Sequence, residues 1–209
     1  MKISNPKVSN CVEKSLLEAI VENEFSNFSF SENIEKKVKI IDTTFDSCIF
    51  NKIDFSNIEL KDVNLIDVVF DGCDLSNQSF DSKMLSRVVF KDCKLLGTTF
   101  IESSLHDIKF ENCLAKYLNF SNSKINTMVI SDSDFSEASF MELELKNIEL
   151  LNVKLYRTEF IKTNLKNVDF SSCDINGTMF DNQSLKGMIV DRFQCQYLVG
   201  MLGVEVKED

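Results

Sequence analysis

The sequence predicts an all-β solenoid, and two observations carry that prediction. From Ile40 to Val190 a bulky apolar residue returns at every fifth position, opening with Phe45, Phe50, Phe55, Leu60, Leu65 and Phe70 and closing with Phe160, Leu165, Phe170, Ile175, Phe180 and Leu185. Only Ala115 in that series is not large, and no insertion shifts the register. A second, smaller class stands two residues before the centres: Cys48, Ile53, Ile58, Val63, Val68, Cys73, Val88, Cys93, Thr98, Ser103, Ile108 and Cys113. A period of five fits neither a helix, at about 3.6 residues per turn, nor a strand, at about 2. A short fixed period marks a solenoid, in which each unit buries its apolar face against the next.

Taken in order, residues 1–9 are polar, contain the only proline, Pro6, and read as a loose lead-in. Asn10 followed by Glu13 has the spacing of a capping box. Val12, Leu16, Leu17, Ile20 and Val21 then recur at helical spacing, which predicts a helix over 11–22. Phe25, Phe28 and Phe30 follow, but Ile34, Glu35, Lys36 and Lys37 interrupt any five-residue series. Residues 1–39 therefore read as an N-terminal cap over the open end of the solenoid, where unpaired backbone and apolar side chains need cover.

From 40 to 190 each unit resembles the A(D/N)LXX repeat of the pentapeptide repeat family. Good copies are Cys73-Asp74-Leu75-Ser76-Asn77, Val168-Asp169-Phe170-Ser171-Ser172 and Cys173-Asp174-Ile175-Asn176-Gly177. The resemblance implies a right-handed quadrilateral β-helix with four repeats to a coil. At the inter-strand spacing of roughly 4.8 Å, the repeats make about 7.5 coils and a rod of roughly 36 Å. Four repeats per coil sort the centres into columns: Phe80, Phe100, Phe120, Phe140, Phe160 and Phe180 on one face, and Phe50, Phe70, Phe90, Phe110, Ile130, Leu150 and Phe170 opposite. The period of five does not impose that sorting, so it independently supports four-sided coils.

After Val190 the grammar changes. Asp191 with Gln194 is a cap for a final helix, Phe193, Tyr197, Leu198, Met201 and Leu202 form one apolar stripe, and Gly203 suits its C-terminal stop. Val204-Glu205-Val206 reads as a short strand. The stripe either covers the last coil or forms a two-fold dimer contact. The segment from Gly187 to Val204 resembles the tail of quinolone-resistance pentapeptide proteins, with Gln194, Leu198 and the Leu202-Gly203-Val204 ending at the matching places. That resemblance implies that residues 191–209 dimerise the chain, through Phe193, Tyr197, Leu198, Met201, Leu202 and Val204.

The chain carries 33 acids against 23 bases, a formal charge of −10 and a pI near 4.7. That balance disfavours direct nucleic-acid binding, which needs Lys and Arg to displace counterions. Five of the seven cysteines (Cys48, Cys73, Cys93, Cys113 and Cys173) occupy the small interior position. They act there as buried hydrophobes rather than as a disulfide framework, which suits a reducing compartment. MKISNPKVSN lacks the apolar run of a signal peptide, and no segment approaches a membrane span. A cytoplasmic protein is expected.

Signals for an enzyme are weak. The single histidine, His106, points outward as a solvated side chain, and no phosphate loop, HExxH or GxSxG occurs. Cys73, Cys93 and Cys113 stack in one column, where a parallel ladder offers no tetrahedral metal geometry. No catalytic, metal or cofactor residue and no small-molecule substrate is expected. Gln78 and Lys83 both fall at the small interior position, where a buried Lys is costly, so the rod is expected to distort over 78–85 and let Lys83 reach solvent.

Acids rank the outward positions. Two residues past the Phe-face centres stand Asp42, Asp62, Glu102 and Glu142; Asp67 and Asp107 share a second column, and Asp92 and Asp132 a third. Solubility alone accounts for charge on a packed rod. The resemblance implies more: a non-enzymatic DNA mimic that binds DNA gyrase or topoisomerase IV, with those carboxylates standing in for phosphates. Coils about 4.8 Å apart approach the phosphate spacing of roughly 3.4 Å along a DNA strand without equalling it. The other reading is an interaction scaffold for a different protein. The register-breaking loops of plasmid-borne quinolone-resistance proteins are absent from this sequence.

Overall fold

The computed structural model describes residues 2–201 and 203–205. The chain is a β-solenoid of about eight turns with two short helices. The strands β1 (Val12–Glu13), β2 (Phe28–Phe30), β3 (Val38–Asn51), β4 (Ile58–Asp71), β5 (Met84–Lys91), β6 (Ser104–Glu111), β7 (Lys124–Ser131) and β8 (Glu144–Leu151) form one parallel sheet in chain order. Two short strands, β9 (Glu159–Phe160) and β10 (Met179–Phe180), pair beyond it. From β2 onward every strand pairing joins residue i to residue i+20, as in Phe30↔Phe50, Phe50↔Phe70 and Phe90↔Phe110. Four pentapeptides therefore close each coil, as the column sorting predicts.

Stacking begins before Ile40. Ser26 and Phe30 pair with Asp46 and Phe50 at the same spacing, and the Phe25 and Phe30 rings lie 5.0 Å from those of Phe45 and Phe50. Ile34, one residue short of the register, is still buried. Residues 25–30 thus belong to the stack, although the sequence loses its period beyond them.

The N-terminal helix, α1 (Leu16–Glu22), is shorter than the 11–22 expected. Its N-cap is Ser15, without a side-chain cap bond, so Asn10 and Glu13 form no capping box. The reason is competition from the sheet edge: the Val12 and Lys14 N–H groups donate to the carbonyls of Asn27 (2.9 Å) and Ser29 (3.0 Å). Val12 and Val21 are exposed, and Leu16 with Ala19 seals the helix to the core.

Inside, the centres form aromatic ladders. Successive rings of Phe50, Phe70, Phe90 and Phe110 stack at 4.9, 5.1 and 4.9 Å with interplanar angles of 10°, 2° and 8°. Neighbouring columns meet edge-to-face, as in Phe90–Phe100 at 6.1 Å and 74°. Both geometries suit the ring quadrupole. Ala115, the one small centre, is offset by the large Phe135 a coil later, whose ring reaches Phe110 at 5.4 Å.

The small position is often polar for a definite reason. Its hydroxyl or thiol donates to the carbonyl of a centre 23 residues earlier: Cys73 to Phe50 (3.4 Å), Thr98 to Leu75 (2.9 Å), Ser103 to Phe80 (2.6 Å) and Thr158 to Phe135 (2.8 Å). A corner carbonyl turned into the core is satisfied without admitting water. Before the centre, Asp or Asn closes an Asx turn, as Asp74 and Asp134 accept from the N–H of Ser76 (3.1 Å) and Ser136 (3.0 Å).

At the C-terminus, α2 (Arg192–Met201) lies beyond the last coil. The Asp191 carboxylate accepts from the N–H of Phe193 (2.7 Å) and Gln194 (2.8 Å), and the Gln194 carbonyl oxygen accepts from the Asp191 N–H (2.9 Å). This is the predicted capping box. No helix among the described residues is long and apolar enough to cross a membrane.

Candidate protein-interaction surface

Two past most centres the coil turns its corner, and there the backbone enters the left-handed region: φ is 50° at Asp42, 54° at Asp67, 53° at Asp92, 57° at Glu102 and 49° at Asp132. Gly, Asn and Asp tolerate that region best. Gly72 (φ 66°) and Gly177 (φ 70°) hold equivalent corners. Much of the acid spacing therefore has a backbone origin. The only β-branched residue at such a place, Thr127, stays extended and pairs with Asn147, which is also outside the left-handed region.

All eight predicted acidic residues sit at left-handed corners, but they divide by environment. Asp42, Asp62, Asp92, Glu102, Asp132 and Glu142 are exposed. Asp67 and Asp107 are buried, at 5% and 7% exposure, which removes them from any free acidic rank. Arg87, one coil past Asp67, grips it with two bonds, Nε to Oδ1 at 2.6 Å and Nη2 to Oδ2 at 2.7 Å. The Lys7 backbone N–H adds a third at 3.0 Å, so the lead-in lies against the rod. The Arg87 guanidinium holds the Asp67 carboxyl below the usual carboxylate range. Asp107 lies 3.2 Å from His106 Nδ1. The signal for Arg87 was present in the sequence: it stands twenty residues after Asp67, in the same column, with the opposite charge.

The exposed acids differ too. Lys83 Nζ meets Asp62 Oδ1 at 2.6 Å, and this pairing holds the Asp62 carboxyl low. Glu142 pairs with Lys162 at 2.8 Å, while Asp92 and Asp132 accept from the amides of Asn112 (2.6 Å) and Asn152 (3.0 Å). Asp42 and Glu102 have no side-chain hydrogen bond or ion pair among the described residues.

The expected distortion at 78–85 takes the form of an open seam. Elsewhere the N–H groups of Asn77, Phe80 and Ser82 donate to the carbonyls of Leu96 (2.8 Å), Thr99 (2.8 Å) and Ile101 (2.7 Å). One coil earlier, Asn57, Leu60 and Asp62 make no such rungs to Ser76, Ser79 and Asp81. Strand pairing between these coils resumes only at Leu65↔Leu85. Side chains bridge the seam instead. Gln78 Nε2 donates to the carbonyls of Phe55 (3.1 Å) and Ile58 (3.0 Å), its Oε1 accepts from Leu60 N (3.4 Å), Lys83 reaches out to Asp62, and Asn64 Oδ1 accepts from Met84 N (3.0 Å). The result is a cleft of about 830 Å³ bordered by Lys37, Lys39, Lys61, Lys83, Asp54 and Asp81, among others. Its cause is local: the long Gln78 amide reaches the Phe55 carbonyl as Thr98 reaches Leu75 but occupies more room, and the Lys83 ammonium turns out to Asp62, since the interior would desolvate it.

The predicted dimer residues also divide. Tyr197 and Leu198 are partly buried against the last coil, with Tyr197 Oη donating to the Thr178 carbonyl at 2.9 Å. Phe193 (69% exposed), Met201 and Val204 are exposed. Leu202 and Val206 lie outside the described residues. The inner face of α2 is a cap, and among the described residues its outer face is exposed.

Cys73, Cys93 and Cys113 form the expected column of free thiols. Cys113 is pushed up to about 12 by burial, and Cys93 is raised by its contact with Cys73 and by burial. Cys93 and Cys113 therefore stay protonated and unreactive, whereas the contact with Cys93 shifts Cys73 downward. Among the described residues no His, Cys, Asp and Glu side chains cluster as metal ligands.

A family model for a pentapeptide repeat region matches residues 63–140, and a second, for pentapeptide repeats in eight copies, matches 40–77 and 148–187. The curated proteins yield no match. Among solved structures, a trypsin-treated form of QnrB1, a plasmid-mediated fluoroquinolone resistance protein, is 18% identical over 82% of this chain and 100% of that chain, with a TM-score of 0.45. HetL, involved in heterocyst differentiation regulation in Nostoc sp. strain PCC 7120, is 11% identical over 84% of this chain and 95% of that one, with a TM-score of 0.35. Rfr23 from Cyanothece 51142 is 15% identical over 84% and 97%, with a TM-score of 0.18. Repeats of one family thus span residues 40–140 and 148–187, in register with the twenty-residue coil, and the chain belongs to the pentapeptide repeat family.

Proposed function

We propose that the rod is a non-enzymatic DNA mimic that acts in the cytoplasm as a homodimer, binds a type II topoisomerase (DNA gyrase or topoisomerase IV), and relieves its inhibition by quinolones. The observation that carries this reading is the set of exposed corner carboxylates, Asp42, Asp92, Glu102 and Asp132, on a chain of formal charge −10. They project from left-handed corners of the coil into solvent, and a basic groove built for phosphates would attract them. The resemblance of the segment from Gly187 to Val204 to quinolone-resistance proteins supports the same partner. Asp67 and Asp107 take no part, because burial withholds them.

The test is a gyrase supercoiling assay with the purified chain, with and without ciprofloxacin. Wild type alters supercoiling or relieves inhibition. The variant Asp42→Asn/Asp92→Asn/Glu102→Gln/Asp132→Asn keeps corner-tolerant amides and loses that effect. No effect of wild type at a large molar excess, or equal effects of both proteins, would sink the reading.

The second reading is a scaffold for another protein. The mixed-charge cleft along the seam at 57–64 and 76–84 favours it, since a phosphate mimic has no need of four lysines there.

A further inference from the structure

We propose that the seam is a docking site for an extended peptide strand of a partner protein, which inserts between the two coils and completes their ladders. This goes beyond the topoisomerase reading and does not depend on it, because it uses backbone groups of one seam and none of the corner carboxylates that reading invokes.

The argument starts from the missing rungs. In a parallel solenoid each coil uses one backbone edge to pair with the coil below and the other to pair with the coil above. Over Ile58–Asn64, β4 keeps its lower pairing, Val38↔Ile58 through Thr44↔Asn64, but has no strand partner above. Over 76–81 the next coil keeps its upper rungs, Asn77 to Leu96 and Phe80 to Thr99, and lacks lower ones. Two unpaired parallel edges therefore face each other across the cleft, as they also do where β8 meets 164–171 without rungs, but only at this seam do side-chain amides stand in for the missing partners. Such edges recruit strands, and main-chain bonds then supply the affinity.

The occupants of the seam already imitate a strand. A backbone rung is a direct N–H···O contact of about 2.9 Å. At the seam a whole glutamine side chain stands between the coils, presenting its amide N–H to the Phe55 and Ile58 carbonyls and its carbonyl to the Leu60 N–H. One primary amide thus offers the donor and acceptor that a peptide group would offer. Asn64 does the same for Met84 N. The surrogates meet only part of the demand, for Asn57 N and Asp62 N receive no acceptor from the facing coil. An incoming strand displaces Gln78 and Lys83, both only half-buried and on flexible stems, and pairs with both edges. Selection among peptides is by extended backbone first and side chain second.

The probe is a fluorescein-labelled peptide of residues 38–45, Val-Lys-Ile-Ile-Asp-Thr-Thr-Phe, the strand that already pairs with the other edge of Ile58–Leu65. Binding to the full chain is followed by fluorescence polarisation, and amide hydrogen exchange is mapped with and without the unlabelled peptide. The expected result is saturable binding, with exchange slowed at 57–64 and 76–84 and unchanged at 97–104. A peptide N-methylated at alternate amides binds at least ten-fold more weakly. Gln78→Ala, which removes the competing amide, binds the parent peptide about ten-fold more tightly. Unchanged exchange at 97–104 certifies that this variant remains folded. Absence of saturable binding, equal binding of the methylated peptide, or protection confined to the rod ends would overturn the proposal. So would full protection of 57–64 in the free protein.

Discussion

Gln78 and Gln194 terminate ladders in the same way at different places in the rod. Each side-chain amide donates to the carbonyl of a centre and to the carbonyl three residues on: Phe55 and Ile58 for Gln78, at 3.1 and 3.0 Å, and Phe170 and Cys173 for Gln194, at 2.8 and 2.8 Å. For Gln194 the reason is plain, since the stack ends there and α2 begins. Gln78 applies an end-type cap inside a stack that then continues.

Closing the seam should therefore need only the residues that fill the same slots one coil later. In Gln78→Thr/Lys83→Ser the new hydroxyls would reach the corner carbonyls as those of Thr98 and Ser103 do, and the missing rungs would form. At about 0.5–1.5 kcal/mol net per bond, a gain of roughly 1–3 kcal/mol is expected. Urea denaturation reads the gain, and hydrogen exchange at 57–64 reads the closure. A less stable variant with exchange still fast there would refute the account.

The Asp67–Arg87 pair predicts a pH dependence. A carboxyl held below its ordinary value contributes stability that is complete above that value, near 4, and is lost as pH falls through the lowered folded value. Acid should thus destabilise the wild type over roughly pH 4 and below. Arg87→Ala leaves a buried carboxylate with only the Lys7 N–H. It should lose about 1–3 kcal/mol at pH 7, because Arg87 is still partly solvated. That loss should shrink on acidification, as the unpaired carboxyl takes up a proton. Melting temperatures of both proteins from pH 3 to 7 check the sign.

The interior of this protein was legible because a solenoid translates sequence period into space: five residues to a face and twenty to a coil place Phe50 on Phe70 and Phe80 on Phe100. The irregular patch was legible as well, since Gln78 and Lys83 break the rule of small interior residues. Its consequence, an open seam, was not, because sequence does not say whether a coil swallows a long side chain or parts around it. The first coil escaped notice because Ile34 falls one residue short of register. The acidic ranks carry less surface information than their spacing implies, because the corner backbone already favours Asp, Asn and Gly. Asp67 and Asp107 hold such corners and are nonetheless buried.

The corner rule is itself testable. Asn122 is exposed with φ at 60°, so its substitution changes backbone preference and little else. Asn122→Gly should be within about 0.5 kcal/mol of wild type. Asn122→Val should lose about 1–2 kcal/mol from a β-branched residue forced left-handed. Equal melting temperatures would mean that the corner relaxes to the extended form seen at Thr127.

The two faces of α2 separate capping from dimerisation. Tyr197 donates to the Thr178 carbonyl and packs on the last coil, whereas Phe193 is 69% exposed and spends its ring on Arg192, whose guanidinium carbon lies 4.5 Å from the ring centroid. If the outer face joins two copies, Phe193→Asp should halve the mass measured by light scattering while thermal stability at low concentration barely changes. Tyr197→Phe should do the reverse, keeping the mass and losing about 1 kcal/mol with the part-buried hydroxyl bond. Deleting residues after Val190 should do both, giving a monomer with a frayed last coil. An unchanged mass in Phe193→Asp would leave the helix a cap alone, and the homodimer would have to be dropped from the functional reading.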